Sequence, residues 1–218
     1  MRRLFGVVAP RYDFITRVFS YGMDRSWKRR AVEMADLPER ATVLDLACGT
    51  GDFSKLVRAR RPRAITIACD LTEEMLRLAR QGGARDPVCG DAACLPFQDN
   101  SFDAVFVGYG LRNFPELAAS IGELHRVLRP GGRLITLDFF LPQNHFWRRL
   151  FLIYLYEQGA IWGWLLHREP RIYTYIPDSL KSFVTVREFS RAVASAKFHH
   201  VTALPFVLGG IAVHCATK

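Results

Sequence analysis

The chain has 218 residues, 50% of them hydrophobic, which is enough for one α/β domain with a substantial core. Thirty lysines and arginines against 21 aspartates and glutamates give a formal net charge of +9, which indicates anionic surroundings, either nucleic acid or an acidic membrane surface. Five cysteines, an odd number without paired zinc-type spacing, argue against a disulfide framework and a metal site and favour reduced thiols in a cytosolic protein.

A short apolar strand that ends in a glycine-rich turn is the most informative local pattern. Residues 43–52 read Val-Leu-Asp-Leu-Ala-Cys-Gly-Thr-Gly-Asp, and a helix-compatible stretch follows. This predicts a buried parallel strand that turns sharply into a helix, with Gly49 and Gly51 where a ligand can approach the backbone. The next apolar run, 64–69, is followed by Asp70, whose carboxylate suits the two hydroxyls of a ribose. The pair of strands therefore predicts a nucleoside-cofactor site.

The residues after the glycines indicate which nucleoside is bound. A dinucleotide fold would have a third glycine where Ser54 stands, and Asp52 at the helix start would repel a pyrophosphate and favour a cationic or zwitterionic ligand. S-adenosylmethionine carries a sulfonium and an α-amino group, so it fits better than NAD. The alternative is that Asp52 only caps its helix. With Asp45 and Asp70, the glycine loop predicts an S-adenosylmethionine site.

The rest of the chain alternates between predicted helices and strands. Helices are predicted at 73–80, 116–128 and 186–196, and strands at 87–89, 102–109, 133–140, 199–204 and 207–216. The tetrapeptide 129–132, Arg-Pro-Gly-Gly, is predicted to be a turn, and a two-residue link at 205–206 makes the last strand antiparallel. The sequence therefore predicts a Rossmann-like α/β fold with a seven-stranded, mostly parallel sheet and helices on both faces, typical of class I methyltransferases.

An aromatic-rich apolar stretch, 150–166, lies between arginines at both ends. Glu157 interrupts it, which argues against a membrane-spanning helix. An interfacial helix or a cover over an apolar ligand fits this composition, and a buried core helix is the alternative. We predict one domain over 1–218, with N-terminal lid helices at 1–35 and a substrate-covering helical insertion at 142–184; an arginine-rich start is also found in transit peptides.

Several segments combine into one family pattern. They are Phe5-x-x-Val8-Ala9-x-x-Tyr12-Asp13, Ser20-Tyr21-Gly22, Trp27-Lys28, the glycine loop, Leu95-Pro96-Phe97, Gly110-Leu111-Arg112-Asn113, Leu128-Arg-Pro-Gly-Gly-Arg133 and Tyr173-x-Tyr175-Ile176. The pattern resembles the S-adenosylmethionine-dependent C-methyltransferases of quinone biosynthesis, which act on demethylmenaquinol and on polyprenyl-methoxy-benzoquinol. The glycine loop and the Leu-Arg-Pro-Gly-Gly segment occur in methyltransferases at large. The Tyr12-Asp13 segment, Gly110-Leu-Arg-Asn113 and the Tyr173-x-Tyr175 segment narrow the resemblance to this family.

The resemblance implies S-adenosyl-L-methionine as the cofactor and a set of residues that bind it. Thr50 and the neighbouring glycines would meet the methionine end, Asp70 the ribose hydroxyls, and Asp91 with Ala92 the adenine. The full set is Asp45, Gly49, Thr50, Gly51, Asp70, Leu71, Asp91, Ala92 and Gly108. Gly108 departs from the family, which often has serine there, as does Thr16, where the family usually has asparagine.

The resemblance also implies catalytic residues for methylation of an electron-rich ring. Arg112 would stabilise phenolate charge or orient a water, since its guanidinium stays protonated, and Asn113 would position the same hydroxyl. Tyr12 would donate a hydrogen bond to the ring oxygen. A loop salt bridge for Arg112 and simple packing for Tyr12 are the alternatives.

The implied partner is a lipophilic prenylated quinol, with the ring type left open. A cytoplasmic location with peripheral association to the inner face of the cytoplasmic membrane is expected, and a homodimer is left open. Nucleic acid is not expected as a partner, because the chain lacks an added binding module and the motifs of nucleic-acid methyltransferases. Phospholipid N-methylation and a non-catalytic cofactor-binding role in a quinone-synthesis complex remain alternatives.

Overall fold

The computed structural model describes residues 11–218, apart from the side chains of Tyr12 and Asp13. The helices of this part are α1 (Tyr12–Phe19), α2 (Asp24–Met34), α3 (Asp52–Arg60), α4 (Glu73–Gln81), α5 (Leu117–Val127), α6 (His145–His167), α7 (Tyr175–Lys181) and α8 (Val186–Ser195). Its strands are β1 (Thr42–Leu46), β2 (Ile65–Asp70), β3 (Val88–Cys89), β4 (Phe102–Gly108), β5 (Leu128–Phe139), β6 (His199–Phe206) and β7 (Ile211–Thr217).

The seven strands form one sheet in the order β3-β2-β1-β4-β5-β7-β6. Strands β1 to β5 pair in parallel, and β7 runs antiparallel to both of its neighbours, β5 and β6. The strand order reverses between β1 and β4, so the loops after these two strands diverge and leave a crevice at the carboxyl end of the sheet. The predicted fold is confirmed.

Helices cover both faces of the sheet because successive strand residues point to opposite sides. On β1, Val43 belongs to the apolar cluster that includes residues of α2, α3 and α6, whereas Leu44 belongs to the cluster that includes residues of α5 and α8. On β5, Ile135 and Leu134 divide in the same way. The sequences of the central strands are therefore continuous apolar runs, as expected for parallel strands that are buried on both faces.

Two predicted boundaries were wrong at β5 and β7. The tetrapeptide 129–132 lies within β5, where the pairing shifts register between Phe102 and Ala104 and Gly131 has φ +79°. The residues expected to form a turn therefore form a bulge within a continuous, bent strand. Residues Val207–Gly209 form a 3₁₀ turn that reverses the chain, so β7 begins at Ile211 rather than at 207.

The aromatic stretch forms part of a single helix, α6, that continues through Glu157. The side chain of Asn144 caps it by accepting from the backbone N–H groups of Phe146 and Trp147. One face of α6 is buried, and the opposite face is exposed although it is also apolar. Within residues 11–218, no helix is long and apolar enough to cross a membrane.

The N-terminal helices and the 142–184 region pack against each other. Tyr21 stacks on Tyr154 of α6 with ring centroids 4.9 Å apart, and Phe14 of α1 meets Trp162 edge-on at 5.1 Å. After α6 the chain turns back and packs against the end of this helix. A Cβ on Gly163 would lie only 2.5 Å from the backbone oxygen of Glu169. This return leads into α7, which packs on the loop that follows β4.

Candidate cofactor and acceptor site

The loops after β1 and β4 meet at the switch point of the sheet. Ala47 and Tyr109, each the first residue after its strand, have left-handed φ values of +51° and +56°. A Cβ on Gly110 would lie 2.6 Å from the Cβ of Ala47, so only glycine lets the loops approach this closely. Strained backbone of this kind is characteristic of functional sites.

A cleft of about 880 Å³, open to solvent, lies beside these two loops. Seven of the residues predicted as site residues line it: Gly49, Asp70, Leu71, Asp91, Ala92, Gly108 and Asn113. The structure thus brings together residues that are up to 64 positions apart in the sequence.

Asp70 lies at the end of β2 and is held by backbone donors. Its Oδ2 accepts from the N–H of Gly49 at 3.0 Å, and its Oδ1 accepts from the N–H of Thr72 at 2.9 Å. Burial raises the pKa of Asp70, and these two hydrogen bonds oppose the rise. A carboxylate has about four lone-pair positions, so Asp70 can still accept both hydroxyls of a ribose.

Asp91 follows the short strand β3 at the rim of the cleft. Its carboxylate is exposed, and Oδ1 accepts from the N–H of Ala93 at 2.9 Å. Ala92 is buried beside it and supplies an apolar wall. This arrangement suits a flat heterocycle with a polar edge.

A second, much smaller cavity adjoins the cleft and is lined in part by residues of the glycine loop. It shares Ala47, Gly49, Gly108 and Tyr109 with the cleft, so the two spaces lie next to each other. Thr50 lines this cavity. Gly51 lines neither space; it precedes α3 with φ +79°.

Asp45 also lines the second cavity, but its carboxylate mainly organises α3. Both the N–H and the Oγ of Ser54 donate to its Oδ2 at 2.8 Å. The side chain is buried, and burial raises the pKa of Asp45 to about 7. Direct contact between Asp45 and the cofactor stays a prediction.

Asp52 does not present the unpaired charge that its position in the sequence suggested. Its Oδ2 lies 2.7 Å from the Nζ of Lys28, and its Oδ1 lies 3.7 Å from the Nζ of Lys55. Burial favours a higher pKa for Asp52, but the two lysines outweigh it and lower the pKa. The second cavity therefore has a cation and an anion side by side.

Gly108 lies where the end of β4 meets α3. A Cβ at this position would be 2.7 Å from the ring edge of Phe53. A serine, frequent here in the resembled family, would require Phe53 to move. The glycine therefore matches the packing of this chain.

Arg112 lies behind the cleft rather than in it. Its Nη1 donates to Oδ1 of Asp138 at 2.6 Å and to the backbone oxygen of Tyr109 at 3.0 Å. The guanidinium also lies over the ring of Phe139 and hydrogen-bonds to the hydroxyl of Tyr175. The predicted catalytic arginine is thus part of a buried polar cluster.

Asn113 is the member of the catalytic set that lines the cleft. Its Oδ1 is buried without a hydrogen-bond partner among residues 11–218, so it is available to a ligand. Tyr12 has its side chain outside the described residues. The sequence already places Asp138 near the end of β5, beside β4, as a residue that faces this edge of the sheet or caps a turn. The link from Tyr175 to Arg112 spans 63 residues and has no local signal.

The combined site fits S-adenosylmethionine in its donor set. Carboxylates at Asp70 and Asp91 suit the ribose and the adenine edge, and the apolar walls between them suit the ring faces. The second cavity adds adjacent opposite charges for a zwitterionic end. When bound, this cofactor supplies an electrophilic methyl group on a sulfonium.

Known proteins similar to this chain fall in one family. The model of the ubiE/COQ5 methyltransferase family matches residues 1–218. A ubiquinone/menaquinone biosynthesis C-methyltransferase of Geotalea daltonii is 33% identical over 100% of this chain and 96% of its own length. A demethylmenaquinone methyltransferase of Thermus thermophilus is 36% identical over 89% of this chain and 91% of its own length.

Solved structures show the same fold. A SAM-dependent methyltransferase from Thermotoga maritima superposes over 100% of both chains with a TM-score of 0.68 at 21% identity. A methyltransferase in complex with the Trm112 activator of Haloferax volcanii gives a TM-score of 0.70 at 17% identity, over 98% of this chain and 96% of its own. With the site geometry and the full-length family match, the chain belongs to the ubiE/COQ5 family of S-adenosylmethionine-dependent C-methyltransferases.

Proposed function

We propose that the protein transfers a methyl group from S-adenosylmethionine to a ring carbon of a prenylated quinol in menaquinone or ubiquinone biosynthesis. The observation that carries the proposal is that Asn113 lines the nucleoside cleft, with Arg112 directly behind it. Full-length relatives that are named for these two pathways support it.

The chemistry needs an electron-rich carbon. When a ring hydroxyl loses its proton, the phenolate pushes electrons onto the adjacent carbon, which forms a bond to the methyl carbon as the bond from methyl to sulfur breaks. That carbon then loses its own proton, and the ring becomes aromatic again. We assign Asn113 to hold the hydroxyl and Arg112 to stabilise the negative charge on oxygen.

The surrounding helices would exclude water from this step. Phe14 of α1 meets Trp162 of α6, and Tyr21, just after α1, stacks on Tyr154 of α6. Helix α7 contacts the loop that contains Arg112. We propose that 11–35 and 142–184 cover the acceptor, so that a charged and an apolar reactant meet in near-attack geometry. Residues 1–10 of the predicted lid lie outside the described residues.

We also propose peripheral binding to the inner face of the cytoplasmic membrane, where a prenylated acceptor resides. Of thirteen exposed large apolar side chains in the described part, seven lie on α6: Phe146, Trp147, Leu150, Ile153, Ile161, Trp164 and Leu165. Exposed arginines Arg149, Arg168 and Arg171 flank this face and suit anionic headgroups. A homodimer that buries the same face is the competing arrangement.

The test of the methylation proposal is a transfer assay with radiolabelled S-adenosylmethionine and short-chain demethylquinols under reducing conditions. We expect label in a benzoquinol or a naphthoquinol product. Methylation of phosphatidylethanolamine without quinol methylation would contradict the proposal, as would cofactor binding without transfer to any quinol. Complementation of strains that lack each quinone methylation step identifies the ring.

A further inference from the structure

We propose that Lys28 and Asp52 bind the amino-acid end of S-adenosylmethionine, with Lys28 on the carboxylate and Asp52 on the α-ammonium. This inference rests on the proposed function only for the identity of the cofactor. It concerns a helix, α2, that lies outside the glycine loop and the strand ends. Neither residue is needed to bind the adenosine part.

A fixed arrangement of charges holds Lys28 in place. Its Nζ lies 3.3 Å from Oδ2 of Asp24 and 2.7 Å from Oδ2 of Asp52, and its side chain is 9% exposed. Asp24 is anchored in turn, because its backbone N–H donates to the Oγ of Ser20 at 3.2 Å. Burial opposes protonation of Lys28, but both carboxylates outweigh it and raise the pKa. The lysine therefore stays charged at neutral pH.

The position of the pair points to a ligand. Lys28 and Asp52 line the second cavity together with Gly49 and Thr50 of the glycine loop. The Nζ of Lys28 also lies 5.7 Å from the ring centroid of Tyr109, which lines both spaces. The pair therefore faces the part of the site that lies beyond the loop from Asp70.

The charge pattern complements a zwitterion. The carboxylate and the ammonium of the cofactor are attached to the same carbon, so their partners must also be adjacent. Lys28 and Asp52 meet this condition. A simple salt bridge between α2 and α3 would need no cavity beside it, and buried ion pairs add little stability on their own.

The experiment measures binding by titration calorimetry, so it does not depend on turnover. The ligands are S-adenosylmethionine, its decarboxylated form, and 5′-methylthioadenosine, which lacks the amino-acid end. We expect the unaltered protein to bind the decarboxylated form about ten- to a hundredfold more weakly than S-adenosylmethionine, as for loss of a charge-assisted hydrogen bond.

The variants separate binding from structure. Lys28→Met should weaken the binding of S-adenosylmethionine by a similar factor and leave the Kd of 5′-methylthioadenosine within about twofold. Lys28→Arg should restore part of the affinity for S-adenosylmethionine. Arg30→Met, which breaks an exposed ion pair with Glu33 on the same helix, is the matched control and should change neither Kd.

Two outcomes would overturn the inference. One is an equal loss for both ligands in Lys28→Met, which would make Lys28 a purely structural link between α2 and α3. The other is equal affinity of the unaltered protein for S-adenosylmethionine and its decarboxylated form, which decides the matter even if the variant does not fold. Failure to bind any of the three ligands would instead contradict the proposed function.

Discussion

Arg112 and Asp138 form a dry ion pair that joins the loop after β4 to the end of β5. The Nη1 and Oδ1 atoms are 2.6 Å apart, and the side chains are 2% and 0% exposed. Such a pair adds little net stability, but removal of one partner leaves an uncompensated buried charge. The pair therefore fixes the loop Leu111–Asn113 and, with it, the side chain that lines the cleft.

Asp138→Ala should be strongly destabilising for this reason. We expect the free energy of unfolding to fall by about 3–5 kcal/mol, because the guanidinium of Arg112 loses its counter-charge in a dry site. Denaturant unfolding measures this directly. The double variant Arg112→Met, Asp138→Leu should recover most of the stability and none of the methyl transfer. A double variant as unstable as Asp138→Ala would contradict the ion-pair explanation.

The double variant Arg112→Met, Asp138→Leu, which leaves no unpaired buried charge, and the single variant Asp70→Asn should separate catalysis from binding. Arg112 lies behind the cleft, so the double variant should reduce kcat and leave the Kd for S-adenosylmethionine nearly unchanged. Asp70→Asn replaces one acceptor oxygen by a donor that faces a backbone N–H, and it should raise that Kd about ten- to a hundredfold with a smaller change in kcat. Equal losses of kcat and affinity in both variants would contradict these assignments.

Two glycines provide a matched test of loop packing. Gly110→Ala would place a Cβ 2.6 Å from the Cβ of Ala47, and we expect a loss of about 1–3 kcal/mol with weaker cofactor binding. Gly122 lies inside α5, where an added Cβ would have no atom within 4 Å, so Gly122→Ala should stabilise by about 0.5–1 kcal/mol. Thermal unfolding of both variants checks the opposite signs.

Local patterns predicted most of the fold and most of the candidate residues that the structure brings together at one edge of the sheet, because strand-turn-helix units depend on neighbouring residues. Asp70 and Asp91 end or follow such strands, and both line the cleft. Asp52 shows the limit of prediction from local sequence. Its negative charge at the start of α3 is evident from the sequence, but its partner Lys28 is 24 residues earlier and reaches it only through tertiary packing. The contact of Tyr175 with Arg112 is long-range in the same sense.

His214 should make stability depend on pH. It is 2% exposed on β7 between Phe140 and Phe189, and burial lowers its pKa from 6.5 to about 4. Between these pH values the unfolded chain binds a proton that the folded chain does not, so stability is lost as pH falls. The loss reaches at most about 3 kcal/mol.

The measurement compares the free energy of unfolding at pH 7 and pH 4.5 in the unaltered protein and in His214→Leu. Other titrating groups are common to both proteins, so the difference between the two pH dependences isolates His214. We expect a shallower dependence in the variant. Identical dependences would show that the imidazole is not kept neutral by burial.

The exposed face of α6 should bind anionic membranes. The double variant Ile161→Glu, Trp164→Glu removes two apolar side chains that are 47% and 51% exposed and adds negative charge. We expect co-sedimentation with phosphatidylglycerol vesicles to weaken more than tenfold, since each buried apolar side chain contributes about 1.5–3 kcal/mol. Ile65→Glu, at a residue that is 62% exposed at the start of β2, is the control and should bind normally. Unchanged vesicle binding in the double variant, or conversion of a dimer to a monomer in light scattering, would assign this face to something other than a membrane.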